Sequence, residues 1–388
     1  MLSHCLSGKP RRVGRAAALT LVFGAVLATG AATGSFGDVL GGDRQARSST
    51  RIPAGAVADT DEIAEAIADG KVGPQAAEAL VSRSGDRWSS FYTAQEYEGF
   101  QQSLDGRYVG VGLWVRRVEN GRIEIDRVQS GSPAARAGIR AGDGLRTIDG
   151  ADVTGRPVTE VVSRLRGVGD AGTAVALGLQ RGARSWEVAP LRALLPTESV
   201  RVRHLPHRIT AVKVDAFTRG AAGQVRRALA ARTAGEGILL DLRGNSGGLV
   251  TEAVGVASAF LDGGLVATYD VHGRQQALYA ADGGDTETPL VVLVDGGTMS
   301  AAELLAGALQ DRGRAVVIGS RTFGKGSIQM PSRLPDGSVA ELTVGHYRLP
   351  AGRSVDGRGV EPDLRISGGT DAGAEALGIL DGLGASAR

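Results

Sequence analysis

The chain predicts an α/β fold: a core of strands joined by helical crossovers in the C-terminal half, a small strand-rich domain inserted upstream, and a helical cap before that. Three observations carry the prediction. After Leu195 strand-like and helix-like segments alternate; from Arg107 to about Leu191 the pattern is of short strands with one amphipathic helix; from about Val57 to Leu104 apolar residues recur at helical spacing. Strand–helix–strand alternation implies parallel strands, because a parallel pair needs a long crossover. At 388 residues the chain is long enough for two or three domains.

The first 37 residues read as an export signal. Arg11, Arg12 and Arg15 form a basic patch, and Ala16 to Gly37 carry no charge until Asp38. The segment is either a cleaved signal peptide or a membrane anchor, since its length is close to the roughly 20 residues that span a bilayer. The expected location is therefore outside the cytoplasm, secreted or attached to the membrane. Residues 38–55 are polar and patternless, a linker. The single cysteine, Cys5, precedes the apolar segment and excludes an internal disulfide.

The cap is expected over 56–106. Ile63, Ala66 and Ile67, then Ala77, Leu80 and Val81, show helical spacing. Trp88, Phe91, Tyr92, Tyr97 and Phe100 gather nearly a third of the aromatic residues, and read as an apolar anchor for the cap. The inserted domain is expected over 107–193. There YVGVGLWV precedes an alternating strand (Ile123, Ile125, Val128), and Val158, Val161, Val162 and Leu165 mark a helix. Its segment SPAARAG, the turn at Gly142 and Asp143 and the triplet Ile148 to Gly150 resemble a PDZ domain. That resemblance implies a loop, Val109 to Leu113, whose backbone N–H groups at Gly110, Val111, Gly112 and Leu113 receive a C-terminal carboxylate while the peptide adds as an edge strand. A glycine-rich hairpin without a ligand is the plainer reading.

The core is expected over 194–368. It reads as strand Thr210–Phe217, helix Gln224–Ala231, strand Gly237–Leu242, helix Leu249–Leu261, strand Leu290–Val294, helix Ser300–Gln310, strand Ala315–Ile318 and strand Ser338–Tyr347. Residues 369–388 are a tail.

Composition narrows the function. A net charge of +2 with scattered basic residues indicates no nucleic-acid surface. No HExxH or clustered His/Asp set points to a metal, and no cofactor motif holds up. One rival is a P-loop: Gly319, Gly324 and Lys325 have its spacing, but Gly326 replaces the required Ser or Thr and Pro331 stands where the helix should run.

The remaining chemistry lies between Leu290 and Gln329. Ser300 follows a strand and opens a helix, where backbone N–H groups are unpaired. Ser300 and Glu303 also form an S-x-x-E capping box, a purely structural explanation. The five histidines sit in unrelated contexts, so a Ser-His-Asp triad has little support. Lysine is the other candidate base. There are four lysines among 44 basic residues, and Lys325 lies between two glycines. An amine can lose its proton where a guanidinium cannot. Acting as a base at pH 7 requires its pKa to fall by about three units from about 10.4, roughly 4 kcal/mol, through burial. Gly324 and Gly326 permit close packing, and Phe323 and Ile328 are placed to exclude water. Upstream, DLRGNSGGL (Asp241 to Leu249) is a glycine-rich turn suited to an oxyanion hole, or simply a connection with an N-cap.

Together these blocks resemble the carboxyl-terminal processing peptidases, the tail-specific serine proteases with an inserted PDZ domain. GDRWSSFYTAQEYEGFQQSLDGRYVGVG, DLRGNSGG, SAAE with TFGKGSIQ, and YRLPAGRSVDGRGVEPD carry the resemblance, in order. It implies a crotonase/ClpP-like α/β protease core, Ser300 as nucleophile, Lys325 as general base, Gln329 as supporting residue, and the N–H groups of Gly248 and Ala301 as oxyanion hole. It also implies protein substrates with accessible apolar C-termini and no cofactor. Thr298 and Met299 depart from the serine and alanine frequent before the nucleophile, which bears on subsite shape. The expected function is an exported endopeptidase acting through a Ser/Lys dyad. The alternative is an inactive PDZ scaffold that binds tails, whose mark would be loss of Ser300 or Lys325. No sequence feature specifies an oligomeric state.

Overall fold

A computed structural model describes residues 59–167, 171–206, 208–233, 237–271, 274–366 and 372–386. The leader and the linker lie outside the described residues. Within them no helix is long and apolar enough to cross a membrane. The described residues divide into two compact units: Val109–Ala193 is one, and residues 59–108 combine with those from Leu194 onward to form the other.

The smaller unit is a sheet of antiparallel strands in the order Leu113–Arg117, Ile123–Val128, Gly144–Ile148, Leu177–Arg181, Arg184–Val188, with Ala151–Asp152 paired to the third. Ile123, Ile125, Leu145, Ile148, Leu177 and Leu179 alternate inward and meet Val161 and Leu165 of helix Val158–Arg166. The motifs noted in the sequence have local work here. Ser132 Oγ accepts the Ala135 N–H at 3.1 Å and caps the short helix Pro133–Arg136. Asp143, 1% exposed, is held by Arg181 through bonds of 2.6 and 2.8 Å.

The larger unit holds two sheets. The first runs Val200–Leu205, Ile209–Val214, Gly237–Asp241, Leu290–Val294, Val316–Gly319, Leu364–Arg365; the first strand is antiparallel and every later pairing is parallel. Because both faces are covered at its centre, residues 238–240 and Leu290–Val294 read as continuous apolar runs. Leu240, Val292, Val294 and Val317 face the layer containing Ala221–Ala230, Val250–Ala257 and Ala301–Asp311, while Leu239, Val291, Leu293 and Ile318 meet Ala376 and Leu380 of Ala372–Ser386. Each fully buried aliphatic side chain contributes about 1.5–3 kcal/mol.

The second sheet departs from the sequence reading of 56–106 as helical. Helices Thr60–Ala68, Pro74–Arg83 and Ala94–Leu104 are present, but Ser90–Tyr92 is a strand paired antiparallel with Val339–Arg348. The latter also pairs with Ser327–Arg333 and with Leu265–Val271, which pairs with Arg274–Tyr279. Pro331 is tolerated because its strand has a partner on one side only. Ile63, Ile67, Leu80 and Val81 pack onto Leu334, Ala340 and Leu342. The N-terminal segment is therefore part of the same compact unit as the strand that follows Lys325.

Candidate active site

Neighbouring parallel strands Gly237–Asp241 and Leu290–Val294 end side by side, and each delivers a glycine-containing turn into a helix. The two turns are tied together. Gly244 N–H bonds to Asp295 Oδ1 at 2.8 Å, Thr298 Oγ1 donates to the Leu242 carbonyl at 2.9 Å, and Met299 N–H donates to the Asn245 carbonyl at 2.8 Å. Fully buried Asn245 fixes the first turn by accepting the Gly247 N–H at 2.8 Å. Thr298 thus does structural work at a position where the family resemblance marked a departure.

Ser300 is the N-cap of Ala301–Asp311, with φ 56° and ψ −120°. A serine held there stores about 1–3 kcal/mol of backbone strain, the kind of conformation that over-determined surroundings sustain at functional sites. Those surroundings are close. A β-carbon built on Gly247 would lie 3.0 Å from Ser300 Cβ and 3.3 Å from the Ala301 nitrogen. Among the described residues neither the Gly248 nor the Ala301 N–H donates a hydrogen bond. Two free donors beside a strained serine are what an oxyanion hole requires.

Glu303 does more than cap. Fully buried, its carboxylate accepts the Ser300 N–H at 2.9 Å, the Gly324 N–H at 2.7 Å, the Lys325 N–H at 2.8 Å and the Thr322 hydroxyl. The glycine-rich loop that resembled a P-loop thus spends its N–H groups on an internal carboxylate, which takes the place an external phosphate would need. Tyr347 OH adds a second tie, its one proton lying between the carbonyls of Ser300 at 3.0 Å and Lys325 at 3.3 Å.

Lys325 is half-buried, and burial pushes its amine below the usual lysine range against the opposing charges of Asp86, Glu341 and Glu303. The flanking glycines are required by contact: β-carbons at Gly324 and Gly326 would fall 3.1 Å from the Arg358 nitrogen and 2.8 Å from Asp356 Cβ. Phe323 does not cover the amine as expected. It is 47% exposed and instead packs edge-on against Trp88, ring centroids 5.9 Å apart. Trp88 is the covering group, with Lys325 Nζ 4.7 Å from its ring centroid. Tyr92, Tyr97 and Phe100 form the aromatic anchor without it.

No hydrogen bond joins Lys325 Nζ to Ser300 Oγ among the described residues. Gln329 Nε2 donates to Ser327 Oγ at 2.9 Å and Thr343 Oγ1 at 3.1 Å, not to either proposed reacting residue. Of the described histidines, His346 lies 3.7 Å from Asp356 on the surface and His204 lies beside Thr210, so neither serves Ser300. Sequence reasoning missed Asp86, Trp88, Glu341 and Tyr347, which come from segments far from the serine and lysine blocks. Only the quoted GDRW and YRLP segments hinted at them.

In the smaller unit, Gly110, Val111 and Gly112 are buried and Leu113 begins the edge strand. The Val111 and Gly112 N–H groups donate no hydrogen bond among the described residues, while both residues' carbonyls are engaged, by Ala134 and Gln129 N–H groups. Gly112 has φ 84°, and a β-carbon there would lie 2.3 Å from Ser132 Cβ.

Comparison with known proteins follows this division. Residues 208–366 match peptidase family S41 and residues 101–180 match the PDZ domain. The chain is 35% identical over 311 residues to carboxyl-terminal-processing peptidase 3, chloroplastic, of Arabidopsis thaliana, covering 75% of this chain and 60% of that protein. It is 31% identical over 304 residues to the "Probable CtpA-like serine protease" of Staphylococcus haemolyticus, covering 77% and 60% respectively. The chain therefore spans about 60% of the length of these curated relatives. A Bacteroides fragilis structure assigned to the S41 proteases shares the fold at TM-score 0.54 and 20% identity, covering 79% of this chain and 90% of that one. Residues 208–366 thus form a region of peptidase family S41 and residues 101–180 a PDZ domain, and the chain as a whole is similar to proteins named as carboxyl-terminal-processing and CtpA-like serine proteases.

Proposed function

We propose that the chain is a serine endopeptidase that binds the C-terminal tails of protein substrates through its PDZ domain and cleaves them by a Ser/Lys acyl-enzyme mechanism. One observation carries this reading: the strained Ser300 and the half-buried Lys325 hang by their N–H groups from the same carboxylate oxygen of Glu303. In the forward step neutral Lys325 takes the Ser300 Oγ proton as Oγ attacks the scissile carbonyl. The resulting oxyanion accepts the Gly248 and Ala301 N–H groups, and the Lys325 ammonium then protonates the leaving amine. Water hydrolyses the acyl-Ser300 ester by the reverse proton path. Gln329 supports the lysine side of the site through its strand.

In this reading the peptidase core is crotonase/ClpP-like, residues 56–106 cap it with helices and the strand Ser90–Tyr92, and 1–37 direct export, leaving the protein secreted or anchored outside the cytoplasm. Tails enter along Gly110–Leu113, where the open edge and two unused N–H groups favour a carboxylate. A scaffold that only binds tails is disfavoured because Ser300 and Lys325 are both retained.

The test is degradation of a protein bearing an apolar C-terminal tail by wild type, Ser300→Ala and Lys325→Ala. Loss in both variants supports the dyad. Equal rates in all three would refute it.

A further inference from the structure

We propose that Trp88 is a positioning residue for Lys325, holding its amine beside the Ser300 turn and shielding it from water. The inference rests on the Ser/Lys reading, but the geometry that motivates it is independent of chemistry. Trp88 reaches the lysine from a segment more than 200 positions earlier, and that segment is pinned where it stands. Asp86 accepts the N–H groups of Trp88 at 3.2 Å and Ser89 at 3.0 Å, together with the Ser89 hydroxyl at 2.5 Å. Ser89 Oγ in turn accepts the Thr343 N–H at 3.0 Å, and the next residues pair with Val339–Arg348. The indole therefore sits on a rigid ribbon rather than on a free loop. Its edge contact with Phe323, two residues before the lysine, fixes the ring from the loop that leads into strand Ser327–Arg333.

The groups facing the amine come from several elements. Asp86 approaches from the N-terminal ribbon, Glu341 from the long strand and Glu303 from the helix after Ser300, all favouring the ammonium. Arg87, whose guanidinium lies 4.5 Å from the Trp88 centroid, is the cation sharing the ring. Three carboxylates around an open lysine would keep it charged. The apolar cover is what opposes them, and the ring holds the side chain by cation–π attraction while it is charged. Removing the ring removes both effects. The ring lies over the amine at 4.7 Å, so its loss opens that side of the amine to water, and the lost shielding is taken to exceed the lost attraction.

The experiment measures trinitrobenzenesulfonate labelling of Lys325 in the full chain by peptide mass spectrometry across pH, with exposed Lys71 as internal reference. Wild type, Trp88→Phe and Trp88→Ala are compared, and Trp88→Gln, which fills more of the space than alanine but brings a hydrated amide, carries the test where the alanine variant does not fold. In parallel, kcat/KM against pH is read on a fluorogenic peptide with an apolar C-terminus. The expected result is a labelling midpoint about one pH unit higher in the alanine and glutamine variants, with kcat/KM at pH 7 about tenfold lower and recovering at alkaline pH. The phenylalanine variant stays near wild type. An unmoved midpoint in the alanine or glutamine variant, or a phenylalanine variant displaced as far as alanine, overturns the proposal. Failure of the Ser/Lys reading is separable: Lys325→Ala would then hydrolyse the peptide as wild type does, while the labelling midpoints still report on Trp88.

Discussion

Ser300 and Lys325 are bound through their backbone N–H groups to one oxygen of Glu303, at 2.9 and 2.8 Å. Twenty-five positions apart in sequence, they are fixed relative to each other by a third side chain that has no opening to solvent. Glu303→Gln keeps the shape but presents an amide N–H₂ to donors that need an acceptor. Buried donors left unpaired cost about 1–3 kcal/mol each. The variant is expected to lose about 3 kcal/mol in urea unfolding and to fall at least ~100-fold in kcat, because both proposed reacting residues shift. A variant with wild-type stability and activity would show that Glu303 is only a helix cap.

Gly247→Ala tests the proximity of the two turns. The new methyl would press on Ser300 Cβ at 3.0 Å from a backbone with φ 103° that favours glycine. A loss of about 1–2 kcal/mol in stability is expected from the backbone. The loss in kcat should be far larger than that in KM, since the proposed oxyanion donors would be engaged only as charge develops.

The pH dependence follows from Lys325. Burial lowers its amine from the ordinary 10.5 while Glu341 partly restores it. In the proposed mechanism Lys325 acts in its neutral form, so kcat/KM should rise with pH through a limb lying below the ordinary lysine value. Glu341→Gln removes a charge that favours the ammonium and should move that limb about half a unit lower. Movement to higher pH would contradict the assignment. The same depression makes the folded chain bind this proton more weakly than the unfolded chain. The group therefore costs stability at neutral pH, and that cost fades as pH rises toward 10.5.

Gly112→Ala addresses tail binding. Its β-carbon would overlap Ser132, with centres 2.3 Å apart, and the loop must move to relieve it. Binding of a fluorescent peptide with a free apolar C-terminus should weaken at least tenfold, whereas hydrolysis of a short untailed peptide should change less than threefold, about 0.6 kcal/mol. Equal losses in both assays would place Gly112 outside tail recognition.

What the sequence disclosed depended on how local each signal was. The runs at 238–240 and Leu290–Val294 announced buried parallel strands because both faces are covered, so consecutive residues had to be apolar. Ser300, Lys325 and DLRGNSGG stood out because their neighbours need special backbone. Ser90–Tyr92 was invisible, since three residues between helices acquire strand character only by pairing with a segment some 250 positions later. Trp88 was read as part of the aromatic anchor for the same reason: its partner is fixed by sheet register, not by spacing. Glu303 was legible as a cap, but its bonds to the lysine loop exist only in the folded chain.

The central claim is tested most directly by rapid-quench mass spectrometry of the full chain reacting with a peptide ester. An acyl group is expected on the tryptic peptide containing Ser300 in wild type, with its formation slowed at least ~1,000-fold in Lys325→Ala. An adduct on another residue, or one formed on Ser300 at an undiminished rate without Lys325, would contradict it.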